Sequence, residues 1–380
     1  MVRVLAARFK TVGIVLLVGL ATWVFIYRAA PRMPDFEVYW RAAARAAHAE
    51  PLYRPDDGHF QFKYLPAFAV VAMPIGVLPL LPAKLIWYAT SIALLIVLLH
   101  LNAGLPTVRR KPAAWLVVIL IVVFGKFYGH ELVLGQVNML FAVVATAALL
   151  AMRAGREAAA GALAAIAIVI KPYAVLFLPW LVARGKIGSA AAAIAGLAAA
   201  LALPSVRYGF EGNLALHREW WRTVTETTAP NLSVYDNISL AAMYFRWVGP
   251  GELSATLAYA TAGVLLLLAG LMFLLRRGVT NPELLEGAFL LTLMPLLSPQ
   301  GWDYVFLVST PAIALLANYG DRLPAALRYA TLAVVLVIGL SLYDVMGRSN
   351  YAAFMQLSVL TVCFMVIVVA LATLRIRGIA

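Results

Sequence analysis

The sequence predicts an all-α polytopic membrane protein with about twelve transmembrane helices, and three observations predict it. Of the 380 residues, 64% are hydrophobic and only 12% are charged, and the mean hydropathy of +0.90 exceeds what a water-exposed surface accommodates. Apolar runs recur along the whole chain; at about 20 residues per crossing there is room for roughly ten to thirteen spans and none for a separate globular domain. Third, Lys and Arg gather in short clusters between the runs. Residues 1–380 therefore read as one integral membrane domain.

The first run, 12–27, follows Arg3, Arg8 and Lys10. It is longer than the apolar region of a signal peptide and lacks a clear small-residue cleavage site, so it reads as an uncleaved span. Further runs occupy 83–101, 113–129, 135–152, 158–183, 188–204, 254–275, 284–299, 303–319, 325–343 and 352–374. Between them lie Arg109, Arg110 and Lys111; Arg153 and Arg156; Arg184 and Lys186; Arg276 and Arg277; Arg322 and Arg328; Arg375 and Arg377. Placing every cluster on the cytoplasmic face with the N-terminus requires 158–183 to be a hairpin of two short helices that turns at Lys171-Pro172. Both termini then lie inside, and the chain is placed in the cytoplasmic (inner) membrane.

This arrangement puts 16 of the 30 Lys and Arg on the inner side with only four of the 17 acids, Glu157, Glu283, Glu286 and Asp321. Orientation in the bilayer thus accounts for nearly all of the net charge of +13, and nucleic acid is not expected as a partner. The single cysteine, Cys363, excludes an intrachain disulfide, and the five histidines have no metal-ligand spacing.

Residues 65–82 do not fit a span. They are apolar but carry Pro66, Pro74, Pro79 and Pro82, which remove helix hydrogen bonds, so a re-entrant or interfacial segment is expected there. Together with 28–64 it forms a first outer loop, 28–82; the second is 205–252, and both should carry interfacial helices. Polar groups concentrate in these loops and in shorter outer turns holding Lys126, His130, Glu131, Gln136, Asn138, Lys171, Gln300, Trp302 and Asp303. A transporter would place such groups at mid-membrane and show internal repeats. The asymmetry points instead to a site on the extracytoplasmic face, open to lipid on one side and water on the other.

Six short segments, in order, resemble a known family. Met33-Pro34-Asp35-Phe36-Glu37-Val38-Tyr39-Trp40 and Phe62-Lys63-Tyr64-Leu65-Pro66-Ala67-Phe68 are similar to the D-F-x-V-Y and Y-x-P-x-F openings of glycosyltransferase family 87, the polyprenol-phosphate-dependent mannosyl- and arabinofuranosyltransferases of the GT-C superfamily. Gly135-Gln136-Val137-Asn138 resembles its G-Q-x-N motif, and Ala160-Gly161 through Lys171-Pro172 its hairpin. Asp236-Asn237-Ile238-Ser239-Leu240 resembles N-x-S-L, and Ser298-Pro299-Gln300-Gly301-Trp302-Asp303-Tyr304 resembles S-P-x-S-W-x-H. Two positions depart from the pattern: Gly301 stands where the family often has serine, and Tyr304 where it often has histidine.

The resemblance implies a GT-C-like fold and an inverting transfer of a sugar, such as mannose or arabinofuranose, from a polyprenyl-phosphate donor to a hydroxyl of a glycan or glycolipid acceptor in the cell envelope. An attacking hydroxyl must give up its proton as the bond forms, and Asp35 matches the carboxylate proposed as the family's base. Glu37 and Asp303 are the rival carboxylates. A departing phosphate needs cations, and Lys171 sits in an apolar segment where a lysine costs about 2.5–3.5 kcal/mol on insertion scales. Tyr39, Lys63, Tyr64, Gln136, Asn138, Asn237, Ser239, Trp302 and Tyr304 complete the expected substrate-binding set.

Structural alternatives stand beside these roles. Asp35 would otherwise serve as N-cap of a helix over 36–47, Lys171 would snorkel to headgroups, and Gln136 and Asn138 would cap the helix they open. Trp220, Trp221 and Trp302 would form an interfacial belt. No cofactor is evident. Asp35 and Glu37 alone do not make a Mg²⁺ site, which leaves a divalent metal open, and no nucleotide-binding glycine motif is present. A flippase or transporter of lipid-linked sugar, or a non-catalytic component of an envelope-assembly complex, is the alternative function.

Overall fold

In the computed structural model, which describes residues 17–275 and 281–378, every regular element is helical. The one strand-like pairing among these residues is an isolated bridge between Asn237 and Trp302. Arg3, Arg8, Lys10, the start of the first run, Arg276 and Arg277 lie outside the described residues.

The elements follow the apolar runs closely. They are α1 (Leu17–Ala29), α2 (Pro34–Ala47), α3 (Pro66–Gly76), α4 (Leu80–Ala103), α5 (Ala113–Leu134), α6 (Asn138–Arg153) and α7 (Glu157–Ile170). A 3-10 turn, Pro172–Leu176, leads into α8 (Phe177–Ala183), then come α9 (Ile187–Ala202), α10 (Ser205–Glu226), α11 (Leu240–Val248), α12 (Glu252–Leu274) and α13 (Pro282–Leu297). A second 3-10 stretch, Asp303–Ser309, opens α14 (Thr310–Tyr319), followed by α15 (Ala325–Leu340), the short α16 (Tyr343–Met346), α17 (Arg348–Gln356) and α18 (Val359–Ile376).

Four helices, α4, α5, α12 and α18, are each long and apolar enough to cross a membrane. The pair formed by α9 and the segment from Ser205 to Leu232 passes the same test jointly, but it is bent by 90°. The remaining apolar helices are shorter. The expected run 352–374 is broken by Ser358 in the left-handed region (φ 58°) into α17 and α18, and the run 303–319 begins as a 3-10 helix.

The expected hairpin is present. The chain turns at Lys171, and Glu157 at the start of α7 comes within 4.0 Å of Lys186 beyond α8. Gly161 allows α7 to approach α9 so closely that a Cβ would strike Ser189 and Ala192. The proline-rich segment also finds a simple solution. Pro66 occupies the first turn of α3, Pro79 is the N-cap of α4, and Pro82 lies in its first turn, positions where a proline sacrifices no helix bond. Only Pro74 is interior, and α3 packs on α2 where Gly76 meets the backbone of Ala43 and Ala44.

Among the described residues, the basic clusters gather at one end of the bundle. Arg110 pairs with Asp321, Arg153 donates to the Leu105 carbonyl at 3.0 Å, and Asn281 donates to Thr107 at 3.2 Å. Glu286 of α13, fully buried, binds Arg375 at 2.7 Å, the Trp180 indole at 2.9 Å and Arg184. The motif-bearing loops meet at the other end, where α10 leaves α9.

Candidate active site

The corner between α1 and α2 is built by Met33, which adopts the left-handed conformation (φ 48°) and donates its backbone N–H to the Val133 carbonyl at 3.1 Å. Lys84 of α4 secures the corner, donating to the Ala30 and Arg32 carbonyls at 2.9 Å each and pairing with Glu37 at 2.7 Å. Facing it, Gly135 ends α5 with φ 70°, a conformation suited to glycine, and a Cβ there would strike Phe36 and Met33. Trp87 donates to the Gly135 carbonyl at 2.9 Å. The D-F-x-V-Y and G-Q-x-N segments, about a hundred residues apart in sequence, are thereby one joint.

This joint floors a cavity of about 260 Å³ lined by Asp35, Tyr39, Lys63, Tyr64, Gln136, Lys171, Trp302 and Tyr304. Its walls also include His59, Tyr173, Thr228 and Gln300. Eight of the thirteen expected site residues therefore converge. The other five lie elsewhere. Glu37 is held by Lys84. Asp303 is buried and pairs with Lys126 at 2.9 Å. Asn138 binds Glu131 at 2.9 Å. Asn237 donates to the Pro299 carbonyl at 2.8 Å, and Ser239 caps α11 by accepting from the Ala242 N–H at 3.1 Å.

Two capping alternatives are corrected. Asp35 is not the N-cap of α2: that position is Met33, with Pro34 ahead of Asp35 in the first turn, because the left-handed corner starts the helix two residues earlier than 36. Nor do Gln136 or Asn138 cap α6. Its N-cap is Val137, with no side-chain cap bond, and the Glu131 carboxylate reaches across from α5 to accept the Met139 N–H at 2.8 Å.

Within the cavity a chain of hydrogen bonds runs from Lys171 to Gln136. Lys171 Nζ donates to the Tyr64 hydroxyl at 3.2 Å and lies 5.0 Å from that ring's centroid. The Tyr64 and Tyr39 hydroxyls are 2.9 Å apart, and Tyr39 donates to Gln136 Oε1 at 2.8 Å. Gln136 Nε2 donates to the Tyr304 hydroxyl at 3.2 Å. Burial pushes the Asp35 carboxyl above the usual carboxylate range, opposed by a Gln136 hydrogen bond and by the charges of Lys171, His59 and Lys63. Burial likewise lowers Lys63, against the pull of Asp35.

The two departures from the family pattern have a place here. Gly301 packs where a Cβ would meet the Pro295 carbonyl and Ser239, since its own carbonyl accepts the Ile238 N–H at 2.8 Å; serine does not fit without movement. Tyr304 presents its hydroxyl to the cavity. Of the tryptophans, Trp302 lines the cavity, Trp220 donates to the Lys63 carbonyl at 3.1 Å, and Trp221 is 64% exposed.

Sequence reading missed His59, Tyr173 and Thr228 as cavity residues. His59 sits in a Pro/Asp/Gly-rich turn, Pro55–Phe60, with no pattern of its own. Tyr173 alone had a signal, two residues beyond Lys171 in the hairpin turn. Among the described residues no group of three or more His, Cys, Asp or Glu side chains is placed to hold a metal ion.

No curated protein matches the chain, and no solved structure does. The sequence profile of glycosyltransferase family 87 matches residues 62–299, which takes in the Tyr64, Gln136, Lys171 and Asn237 segments; the Asp35 segment precedes the match and is locked to it through Gly135 and Gln136. With well over half of its length matched and apolar helices long enough to span a bilayer, the chain belongs to glycosyltransferase family 87 and is a membrane glycosyltransferase.

Proposed function

We propose that this enzyme transfers a sugar from a polyprenyl-phosphate donor to an acceptor hydroxyl on the extracytoplasmic face of the cytoplasmic membrane. The observation that carries the reading is the convergence of one carboxylate, Asp35, with two lysines, Lys63 and Lys171, on one cavity. In the reaction, the acceptor oxygen attacks the anomeric carbon from the side opposite the phosphate and inverts it. Asp35 takes the acceptor proton as the new bond forms, and the sugar–oxygen bond to phosphate breaks. Lys171, with Lys63, meets the negative charge that builds on the departing polyprenyl phosphate. The buried Asp303, already paired with Lys126, and Glu37, paired with Lys84, support the fold around this centre.

The same reading includes about twelve spans with both termini cytoplasmic. Its support is the joining of the basic loops at one end and the turn of the hairpin at Lys171 toward the other. A sugar donor on the outer leaflet carries its activation as lipid phosphate, and two lysines against one carboxylate suit such a charge.

The test is transfer by the purified protein with a panel of polyprenyl-phosphate sugars, wild type against Asp35→Asn. Asparagine preserves size but accepts no proton at neutral pH, so transfer should drop by about 10²-fold or more while thermal stability and donor affinity stay near wild type. Near-normal turnover in Asp35→Asn would remove Asp35 as base.

A further inference from the structure

Helix α10 presents three different sides, and one of them is apolar and exposed. Gly209 (φ 69°) interrupts its first turn. Beyond it, Asn213, Leu216 and Thr223 are buried against the protein. At about 100° per residue, Phe210, Leu214 and Trp221 fall within about 40° of one another on a second side. They are exposed, Phe210 by 73% and Trp221 by 64%. Glu211, Arg218, Arg222 and Glu226 take up the third side and are exposed as well.

The protein itself fixes where these sides point. The segment that contains α10 leaves α9 at 90°. Across that bend Asn213 donates to the Leu201 carbonyl at 2.9 Å. Arg207 donates to the Ala46 carbonyl at 3.1 Å, and Tyr208 to the Glu50 carbonyl at 2.9 Å. Helix α9 is apolar and exposes Ile187, Ile194 and Leu201, whose spacing sets them on one side for lipid to cover. A helix perpendicular to its end lies along the membrane surface, and the exposed apolar residues continue through Val206 and Phe210.

The hydrocarbon itself is closed to α10, because Arg207, Glu211, Arg218, Glu219, Arg222 and Glu226 would be costly there. Those three positive and three negative charges cancel, so the apolar stripe, not attraction to anionic headgroups, must hold the helix at the surface. An interfacial helix of this kind sinks its apolar side about 5–10 Å into the boundary between headgroups and acyl chains. The protein side of α10 reaches the site. Trp220 donates to the Lys63 carbonyl at 3.1 Å, and Val224 and Thr228 line the cavity.

We propose that α10 is a lipid-docked wall of the cavity: Phe210, Leu214 and Trp221 rest among the acyl chains of the leaflet on the cavity's side, which holds the rim at Val224 and Thr228 at headgroup level. The occupant of the stripe is the bilayer, and the assignment stands whether or not the sugar donor is a polyprenyl phosphate.

The test uses the full-length protein in phosphatidylcholine nanodiscs, with a fluorophore on one introduced thiol. The unsubstituted chain, whose one cysteine, Cys363, is buried, serves as the blank. Leu214→Cys carries the label on the stripe, and Arg222→Cys carries it on the charged side. Lipids brominated near the headgroup end of their acyl chains should quench the stripe label, and iodide in the water should not. The label on the charged side should respond in the reverse way. Exchanging part of the phosphatidylcholine for phosphatidylglycerol should change neither result. If Leu214→Cys does not fold, Trp221→Cys reports on the same stripe. Iodide quenching of the stripe label overturns the proposal. Protection from both quenchers also overturns it, since a second copy or another protein would then cover the stripe. Bromine quenching at both positions overturns it by placing the whole helix in hydrocarbon, and stripe quenching that requires phosphatidylglycerol overturns it in favour of charge attraction.

Discussion

Glu286 and Asp35 sit at opposite ends of one bundle and are handled in opposite ways. Glu286 is enclosed by Arg184, Arg375 and the Trp180 indole, each contributed by a different helix from its own. Asp35, Lys63 and Lys171 face a common cavity, and among the described residues none of the three is in an ion pair. The nearby pairs, Lys84 with Glu37 and Lys126 with Asp303, lie outside that cavity. Buried charges that hold helices together are compensated by direct contact, because an uncompensated one is costly. The charges proposed to serve the reaction are left to meet a substrate.

The largest effect should come from the saturated end. Glu286→Ala leaves two arginines without their shared carboxylate, so it should cost about 3–5 kcal/mol of stability, read as a lower thermal midpoint in detergent. Transfer per folded molecule should be unchanged. A silent Glu286→Ala would erase the distinction between the two ends.

Lys171→Gln should show the reverse pattern. Losing a charged hydrogen bond to the donor phosphate, worth about 1.5–3 kcal/mol, predicts roughly a 10- to 100-fold fall in kcat/KM for the donor with little change in thermal midpoint. Normal donor kinetics would return Lys171 to snorkelling among headgroups.

A smaller effect sharpens the comparison through pH. Burial raises the Asp35 carboxyl, and only its ionised form accepts a proton. Wild-type transfer should therefore be lost, as pH falls, at a higher pH than an ordinary aspartate of pKa about 3.9 would give. A rate constant down to that value would mean that no cavity carboxylate of raised pKa takes part.

Much of this was legible beforehand, for identifiable reasons. Hydropathy and charge are local properties, so the apolar runs and the basic clusters marked most helices to within a few residues. That 158–183 is a hairpin was expected from charge parity, with its turn read near Lys171-Pro172. Where runs failed, the cause was backbone geometry that composition does not carry: Ser358 in the left-handed region splits one run, and a 3-10 stretch opens another. Motif order located Asp35, Gln136, Lys171 and Tyr304. It did not reveal that Gly301 is required by the close approach of Ser239 and the Pro295 carbonyl.

The sequence by itself determined that the chain is a helical membrane protein, how its basic loops are distributed, and which segments resemble the family's motifs. Tertiary structure alone decided which members of those segments face the cavity. Asp35 and Glu37 are two residues apart on α2 and so about 200° apart around the helix; one faces the cavity and the other meets Lys84. Gln136 and Asn138 part in the same way, one toward Tyr39 and Tyr304 and one toward Glu131, because the chain leaves a left-handed turn and enters α6 between them. Trp302 and Tyr304 line the cavity while Asp303 between them turns to Lys126. Periodicity sets such residues on different faces, but only the packing of α4, α5 and α7 determines which face becomes the wall of the site.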